Sequence, residues 1–139
     1  QGSSYTGRRC ILVPYTRKMV DTYHSWMANS EKLREETESE LLTPEEEYEM
    51  QTAWYEDVDK IIFIVLDKSR KADPSLGEIA AGGAMCGDVG CFLSDDEDAK
   101  TGQVTREAEI SVMTAVVESR RKGIAREAVR LMEEYCREE

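Results

Sequence analysis

Positive charge and long apolar runs are both scarce in this sequence. Asp and Glu outnumber Lys and Arg by 29 to 18, which leaves a formal net charge of −11. Nucleic acid binding depends on cations that face phosphates, so no nucleic acid partner is expected. No apolar stretch approaches the roughly 20 residues that a membrane-spanning helix needs, and no membrane partner is expected either. The acidic balance favours a basic or amine-bearing partner.

Metal-binding patterns are also missing. The chain has a single histidine, His24, and four cysteines, none of which forms a C-x-x-C pair, so we expect no metal. The cysteines are Cys10, Cys86, Cys91 and Cys136. They are expected to be reduced and mostly buried, as in a cytoplasmic protein, with the nucleus as the alternative location. On one regular strand Cys86 and Cys91 would face opposite sides of the sheet.

A leader peptide pattern is absent as well, and the first residue is Gln1 rather than Met. We therefore expect a cleaved N-terminus or the edge of a longer sequence. Apolar residues make up 40% of the 139 residues and charged residues 34%, which is typical of one folded domain. We divide the chain into a flexible start at residues 1–9 and a single domain at residues 10–139.

Apolar periodicity predicts four strands and three helices. The strands are expected at residues 10–15, 60–67, 84–98 and 106–117, and the helices at 16–29, 43–60 and 123–139. Thr16 is a candidate cap for the first helix, and Thr43 with Glu46 forms a capping box for the second. The charged segment 30–40 is open to either helix or loop. Residues 68–83 are expected to form a long loop.

The same patterns predict which faces are buried. The second helix should bury an apolar side made of Tyr48, Met50, Ala53, Trp54 and Tyr55. The last helix should bury Ile124, Ala128, Leu131, Met132 and Tyr135. Alternation in the last strand places Glu107, Glu109, Ser111 and Met113 on one face. The acidic run at residues 95–98 lacks the spacing of an EF-hand and is expected to be a solvated loop.

A dense group of cations stands out near the C-terminus. Residues 120–130 contain five cations and one acid, at the point where a strand leads through Gly123 into a helix. Unpaired backbone N–H groups at a helix start, a permissive glycine and local cations together indicate an anion site, and phosphate is its usual ligand. The alternative is that these cations are ordinary surface residues. Neither a P-loop nor a dinucleotide-binding glycine motif is present.

These residues resemble a known family. Arg120-Arg121-Lys122-Gly123-Ile124-Ala125 matches the R/Q-x-x-G-x-G/A signature of the GCN5-related N-acetyltransferase (GNAT) superfamily. From about residue 10 onward the stretches ILVPY, YHSWM, EEEYEMQTAWYEDVDK, FIVLD, GDVGCFL and EISVM resemble, in that order, the eukaryotic N-acetyltransferase 9-like proteins. The resemblance thus covers nearly the whole chain.

The resemblance implies an α/β fold, the GNAT (acyl-CoA N-acyltransferase) fold, with a mixed, mostly antiparallel sheet flanked by helices. It also implies an acetyl-CoA-dependent enzyme that acetylates a primary amine of a protein or peptide, an N-terminal α-amine or a lysine, by direct attack in a ternary complex. The implied cofactor-binding residues are Thr114, Ala115, Val116 and Val117 for the pantetheine arm, and Arg120, Arg121, Lys122, Gly123, Ile124 and Ala125 for the pyrophosphate. A non-catalytic CoA-binding or protein-interaction scaffold is the alternative.

Acetyl transfer to an amine needs a general base, because only the neutral amine is nucleophilic. The candidate is Glu109, whose spacing to Arg120 resembles that of the base glutamate in the histone-acetyltransferase branch. Glu107 and Asp88 are competing candidates, and an ordinary strand-edge carboxylate is the alternative role for Glu109.

The sequence departs from the family pattern in two ways. Arg121 and Val117 occupy positions where related sequences often have Gly and Pro. The chain also ends at Glu139, where the superfamily continues with a strand, a helix and a hairpin. We therefore expect the C-terminal part of the domain to be missing. A sheet edge left unpaired in this way favours a homodimer.

Overall fold

The structure, a computed structural model, describes residues 4–37 and 39–138, without the side chain of Glu138. The described elements are β1 (Tyr5–Thr6), β2 (Cys10–Pro14), α1 (Val20–Asn29), α2 (Glu31–Glu36), α3 (Pro44–Glu56), β3 (Lys60–Asp67), β4 (Ala84–Glu97), β5 (Val104–Thr114) and α4 (Ile124–Glu138). Short 3₁₀ turns lie at Arg17–Met19, Pro74–Leu76, Glu78–Ala80 and Val117–Ser119. Every predicted strand and helix is present, with shifted ends.

The described strands form one sheet in the order β1-β2-β3-β4-β5. Each pairing is antiparallel, so the sheet described here has no parallel component. Helices flank it on both faces, and the predicted α/β architecture is confirmed. Among the described strands β5 has no partner on its outer side. A homodimer through this edge stays a prediction.

The central strand β3 carries the core. It is buried from Ile62 to Asp67, as the continuous apolar run predicts for a strand covered on both faces. Ile62, Ile64 and Leu66 pack towards α1 and α3, whereas Phe63 and Val65 pack towards α4. This alternation gives the sheet two separate apolar layers.

The N-terminal segment contains an element that the sequence pattern does not predict. Tyr5 and Thr6 pair with Leu12 and Ile11, which adds β1 to the edge of the sheet. The Tyr5 ring makes edge-to-face contacts with Phe63 and Tyr135 at centroid distances of 5.6 and 5.3 Å. Tertiary contacts thus stabilise a two-residue strand that shows no apolar alternation in the sequence. Residues 1–3 of the expected flexible start lie outside the described residues.

The first two helices begin differently from the prediction. The prediction of Thr16 as a helix cap is wrong, because its side chain makes no capping bond and the 3₁₀ turn Arg17–Met19 precedes α1. The charged segment that was open to helix or loop contains α2. Ser30 caps it by accepting a hydrogen bond from the Leu33 N–H at 3.1 Å.

The capping box of α3 is confirmed, but its predicted buried face is partly wrong. Thr43 Oγ1 accepts from the Glu46 N–H at 3.2 Å, and Glu46 Oε1 accepts from the Thr43 N–H at 2.9 Å. Tyr55 is 64% exposed, whereas the polar Glu47 and Gln51 face the core. The Gln51 side chain donates a hydrogen bond to the Tyr15 carbonyl at 3.0 Å. Because this backbone acceptor satisfies it, a polar side chain is buried at a position that the apolar pattern does not predict.

Strand β4 contains a bulge that changes the direction of its side chains. Gly87 pairs with Val65 and Met85 pairs with Leu66, so Cys86 is an extra residue without a partner on β3. The expectation that Cys86 and Cys91 face opposite sides is therefore wrong. Both are buried in the layer against α4. All four cysteines are free thiols.

The β4–β5 hairpin extends further than the acidic sequence suggests. Asp95, Asp96 and Glu97 belong to β4 and pair with β5 rather than forming a solvated loop, although their side chains are exposed. Arg106 on β5 neutralises this end by ion pairs to Asp95 at 3.2 Å and Asp59 at 2.7 Å. The predicted inward face of α4 is confirmed in full.

Replacement of Thr43 by Ala should lower the free energy of unfolding by about 1 kcal/mol, because the Glu46 N–H loses its side-chain acceptor, Thr43 Oγ1. The measurement is urea unfolding followed by circular dichroism. Thr52→Ala is the matched control, since its hydroxyl bonds within the same helix and Ala is the better helix former. An equal loss in both variants would contradict the capping role.

Candidate active site

The segment between β5 and α4 forms an unusual turn, here named the basic turn and defined as residues 120–125. Arg121 and Gly123 both have positive φ angles, 62° and 79°. A non-glycine residue rarely adopts this conformation, so the surrounding structure must hold Arg121 in place. The turn opens onto the first N–H groups of α4, which have no partner within the helix. This backbone geometry suits an anion.

A buried carboxylate, Asp67, fixes the basic turn to the end of β3. Its Oδ2 accepts from the Ser119 hydroxyl at 2.6 Å and from Lys122 Nζ at 3.1 Å. Its Oδ1 accepts from the Ser69 N–H at 2.9 Å and from the Ser69 hydroxyl at 2.7 Å. Burial raises the pKa of Asp67, but these hydrogen bonds outweigh burial and hold it at about 2.

A second carboxylate, Glu127 on the first turns of α4, holds the turn between β1 and β2. Its Oε1 accepts from the Arg9 N–H at 2.8 Å and from the Cys10 N–H at 2.9 Å. Burial raises the pKa of Glu127, but the backbone hydrogen bonds dominate and lower it. A Cβ on Gly7 would run into the Glu127 carboxylate, so only glycine permits this close approach.

Together these contacts bring distant cations to the basic turn. A surface cavity of about 520 Å³ is lined by Arg8, Arg9, Arg121, Lys122, Gly123, Arg126, Glu127 and Arg130. A neighbouring cavity of about 420 Å³ adds Lys68 and is also lined by Arg8, Arg9 and Lys122. In a chain with a net charge of −11, this is a local surplus of cations. The arrangement can hold a phosphorylated ligand.

The sequence pattern misses Arg8 and Arg9, whereas Arg126 and Arg130 belong to the group of cations at residues 120–130 but not to the predicted cofactor-binding residues. The two N-terminal arginines lie more than a hundred residues from the signature, so no local motif connects them to it. Their only signal is a pair of consecutive arginines in an acidic chain.

Some of the predicted cofactor-binding side chains of the basic turn line the two cavities, and others turn back towards the protein. Arg121 lines the larger cavity, whereas Arg120 turns back and donates from Nε and Nη2 to the Thr114 carbonyl, both at 3.3 Å. Lys122 lines both cavities, although its ammonium group is already paired with Asp67. Ile124 packs into the core under the turn.

The predicted pantetheine segment, residues 114–117, follows the end of β5. The N–H groups of Ala115 and Val116 both donate to the Cys86 carbonyl, at 2.7 and 3.3 Å, and so hold the bulge of β4. Their hydrogen-bonding capacity on the N–H side is thus used within the protein. The Thr114 carbonyl accepts both bonds from Arg120, whereas the carbonyl oxygens of residues 115–117 retain a lone pair and are the groups that this segment can offer to a ligand.

A separate cavity of about 310 Å³, the Asp88 cavity, lies on the other face of the sheet. Its walls come from β3, β4, β5, α1, α3, the end of α2 and the segment after it, and they include Tyr23, Glu36, Trp54, Asp88, Ser111 and Met113. The Tyr23 hydroxyl donates to Asp88 Oδ2 at 2.8 Å. Burial raises the pKa of Asp88 to about 6, and the hydrogen bond from Tyr23 only partly opposes this.

Tyr23 itself is suited to hold this carboxylate. Burial and the neighbouring Asp88 raise its pKa well above the usual value, so its hydroxyl stays protonated and acts as a donor. A partly desolvated carboxylate with a pKa near neutrality, oriented by one donor in a cavity, is the arrangement expected of a general base.

Glu109 lies elsewhere on the same sheet face. It pairs with Phe92, while Asp88 pairs with Met113, so the two carboxylates are four residues apart along the strands, about 13 Å. Glu109 is exposed and is not among the residues that line the Asp88 cavity. Its role as the base stays a prediction, as does that of Glu107, which is also exposed on β5.

No cluster of three or more His, Cys, Asp or Glu side chains within the described residues could hold a metal ion. In the same part of the chain, none of the helices has the length and apolar character to cross a membrane.

Comparison with known proteins gives consistent similarities. A family model described as the acetyltransferase (GNAT) domain matches residues 9–139. An alpha/beta-tubulin-N-acetyltransferase 9 from Drosophila melanogaster is 49% identical over 139 residues, which covers 98% of this chain and 64% of that protein. The mouse protein of the same name is 45% identical over 136 residues, covering 97% and 52%. An N-acetyltransferase 9-like protein from Dictyostelium discoideum is 43% identical over 134 residues, covering 93% and 60%.

The chain thus spans 52 to 64% of the length of these curated relatives. Among solved structures, a GnaT-family acetyltransferase from Bordetella pertussis matches with a TM-score of 0.58 at 19% identity, covering 99% of this chain and 74% of that one. At this level of identity the match shows a shared fold.

Replacement of Asp67 by Asn should lower the free energy of unfolding at pH 7 by on the order of 2 kcal/mol, because the charged form is the one that is hydrogen-bonded. Since the folded pKa lies below the unfolded one, this contribution is present above about pH 4 and is lost as the pH falls towards 2. The wild-type and variant curves should therefore converge in acid, as measured by urea unfolding at several pH values.

Asp73→Asn is the matched control. Asp73 accepts from the Ser75 N–H and hydroxyl at 2.9 and 2.7 Å, as Asp67 does from Ser69, but it is exposed and lacks the contacts to the basic turn. A loss in Asp73→Asn as large as in Asp67→Asn would show that the local turn, and not the link to Ser119 and Lys122, is responsible.

Proposed function

The chain belongs to the GNAT acetyltransferase family, and on this premise we propose that it transfers an acetyl group from acetyl-CoA to a primary amine of a protein or peptide. The observation that carries the proposal is the layout of β5. Its end leads into the basic turn, and the residues just before that end, Ser111 and Met113, line the Asp88 cavity. One strand thus connects an anion site to a cavity with a candidate base.

Acetyl-CoA, when bound, supplies the acetyl group as a thioester. We assign its pyrophosphate to the backbone of Arg120, Arg121, Lys122, Gly123, Ile124 and Ala125, with Arg121 as the side chain that faces the cavity. The pantetheine arm is assigned to Thr114, Ala115, Val116 and Val117, through carbonyl oxygens because two of the N–H groups serve Cys86. Arg8, Arg9, Arg126 and Arg130 extend the cationic surface for a further phosphate.

We assign the proton transfer to Asp88. Above about pH 6 its carboxylate is ionised, and it accepts a proton from the ammonium or attacking amine in the cavity. Tyr23 acts through Asp88 as a positioning residue, since its hydroxyl holds Oδ2 in place. The neutral amine nitrogen then forms the C–N bond to the acetyl carbon as the C–S bond breaks, and the proton that this nitrogen gives up neutralises the departing CoA thiolate. Glu109 is the alternative base.

Tubulin is the proposed class of acceptor protein. The support is that the relatives in Drosophila and mouse are named alpha/beta-tubulin-N-acetyltransferase 9. The Asp88 cavity agrees with an amine acceptor, since the charged residues among its described lining, Glu36 and Asp88, are both acidic. An N-terminal amine and a lysine amine share this chemistry, and assays with blocked and free tubulin N-terminal peptides separate them.

Replacement of both Arg8 and Arg9 by Ala should weaken CoA binding about tenfold or more, because each cation contributes a charge-assisted contact to a phosphate. The effect should be smaller for 3′-dephospho-CoA, which has one phosphate less. Isothermal titration calorimetry measures both affinities. Lys71→Ala with Lys100→Ala removes the same charge from exposed positions outside the two basic cavities. Equal weakening of CoA binding in both double variants would show that the loss of net charge, and not of contacts from Arg8 and Arg9, is responsible.

Replacement of Asp88 by Asn should lower kcat/KM by about a hundredfold or more and remove the rise of kcat/KM with pH near 6. Glu109→Gln, the matched variant on the neighbouring strand, should keep that rise. The reverse pattern would identify Glu109 as the base. CoA binding without acetyl transfer to any tubulin-derived amine would instead favour the non-catalytic scaffold.

A further inference from the structure

The side chain of Glu47 is the most poorly compensated charge in the described part of the chain. Its residue is 1% exposed, and its Oε2 has no hydrogen-bond partner among the described residues. Its Oε1 lies 3.6 Å from His24 Nδ1, and this distance is longer than that of an ordinary hydrogen bond. His24 Nδ1 also has no hydrogen-bond partner among the described residues. Burial raises the pKa of Glu47, and the nearby His24 only partly opposes this.

A buried carboxylate whose charged neighbour, His24, lies as far as 3.6 Å away is costly for a folded protein unless a further partner satisfies it. Asp67 and Glu127 show that this fold satisfies buried carboxylates where their role is structural. The contrast indicates that Glu47 serves to bind a ligand and not to hold the fold together. A carboxylate in this setting selects a cation.

Glu47 lines a cavity of about 310 Å³, here named the Glu47 cavity, whose other walls are Tyr23, Met27, Ser39, Glu40, Leu42, Met50 and Trp54. Three of these residues, Tyr23, Ser39 and Trp54, also line the Asp88 cavity. The two cavities therefore adjoin, and one layer of side chains that lines both of them separates them.

The walls of the Glu47 cavity match the two parts of a long cationic side chain. Met27, Leu42 and Met50 offer apolar surface for an alkyl stem, and Trp54 adds an aromatic ring, a group that attracts cations. Glu40 adds a second carboxylate to the lining. Among the described residues that line either cavity there is no Lys or Arg, so an incoming cation meets no like charge.

We propose that the Glu47 cavity is a subsite for a lysine or arginine side chain that lies one or two residues from the reacting amine of the acceptor. The assignment rests on the proposed acetyl transfer for the identity of the neighbouring amine. It adds a specificity-determining residue, Glu47, that takes no part in the transfer itself. The competing explanation is that Glu47 serves only His24 inside the fold.

The test uses pairs of peptides with a free N-terminus that are identical except for Lys or norleucine at position 2, and a second pair that differs in the same way at position 3. Binding to the chain is measured by isothermal titration calorimetry with and without CoA. Wild type should bind one of the lysine peptides about tenfold or more tightly than its norleucine partner, since a buried charge-assisted hydrogen bond is gained.

Glu47→Gln should abolish this preference while leaving the norleucine affinity within about threefold. Glu49→Gln, which removes the same charge from the exposed side of the same helix, should keep the preference. Glu47→Asp, which keeps the charge but withdraws it by one methylene, should lower the preference, and it serves as the second variant if Glu47→Gln does not fold.

Equal binding of both peptides of each pair by the wild type would overturn the subsite. So would a preference that persists in Glu47→Gln and in Glu47→Asp, since Glu47 would then be only a partner of His24. Peptide binding is read without acetyl transfer. Lysine-selective binding in a protein that transfers no acetyl group would therefore overturn the proposed function and leave the cationic subsite standing.

Discussion

The buried carboxylate of Asp67 is the contact on which the basic turn depends. It connects the end of β3 to Ser119 and Lys122, which lie more than fifty residues further along the chain. A charge with no exposed surface would destabilise the fold if it were unpaired, but four hydrogen bonds satisfy both of its oxygens. The same bonds hold a turn in which Arg121 adopts a conformation that a free chain would avoid.

Glu127 completes this arrangement from the opposite side. By accepting two backbone N–H groups of the β1–β2 turn, it places Arg8 and Arg9 beside the first turn of α4. An acidic protein thereby concentrates positive charge in one place. The cost of bringing like charges together is one that a bound polyanion would relieve.

Four carboxylates of this fold form two classes that differ in how well they are satisfied. Asp67 and Glu127 have lowered pKa values, since hydrogen bonds outweigh the effect of burial, and they hold the structure together. Asp88 and Glu47 have raised pKa values, since burial outweighs the partners that they have, and both line cavities on the α1 and α3 side of the sheet. Uncompensated burial therefore separates the residues proposed for chemistry and recognition from those that maintain the fold.

Local patterns in the sequence were enough for strands β2 to β5, the capping box at Thr43, the inward face of α4 and the position of the basic turn. Each of these depends on residues close together in the chain, where backbone geometry imposes the period. Tertiary contacts alone decided that Arg8 and Arg9 reach the turn, that the bulge at Cys86 reverses a strand face, and that Asp88 lies in a cavity whose lining does not include Glu109. Burial and hydrogen bonding between distant segments set these features, and no local spacing encodes them.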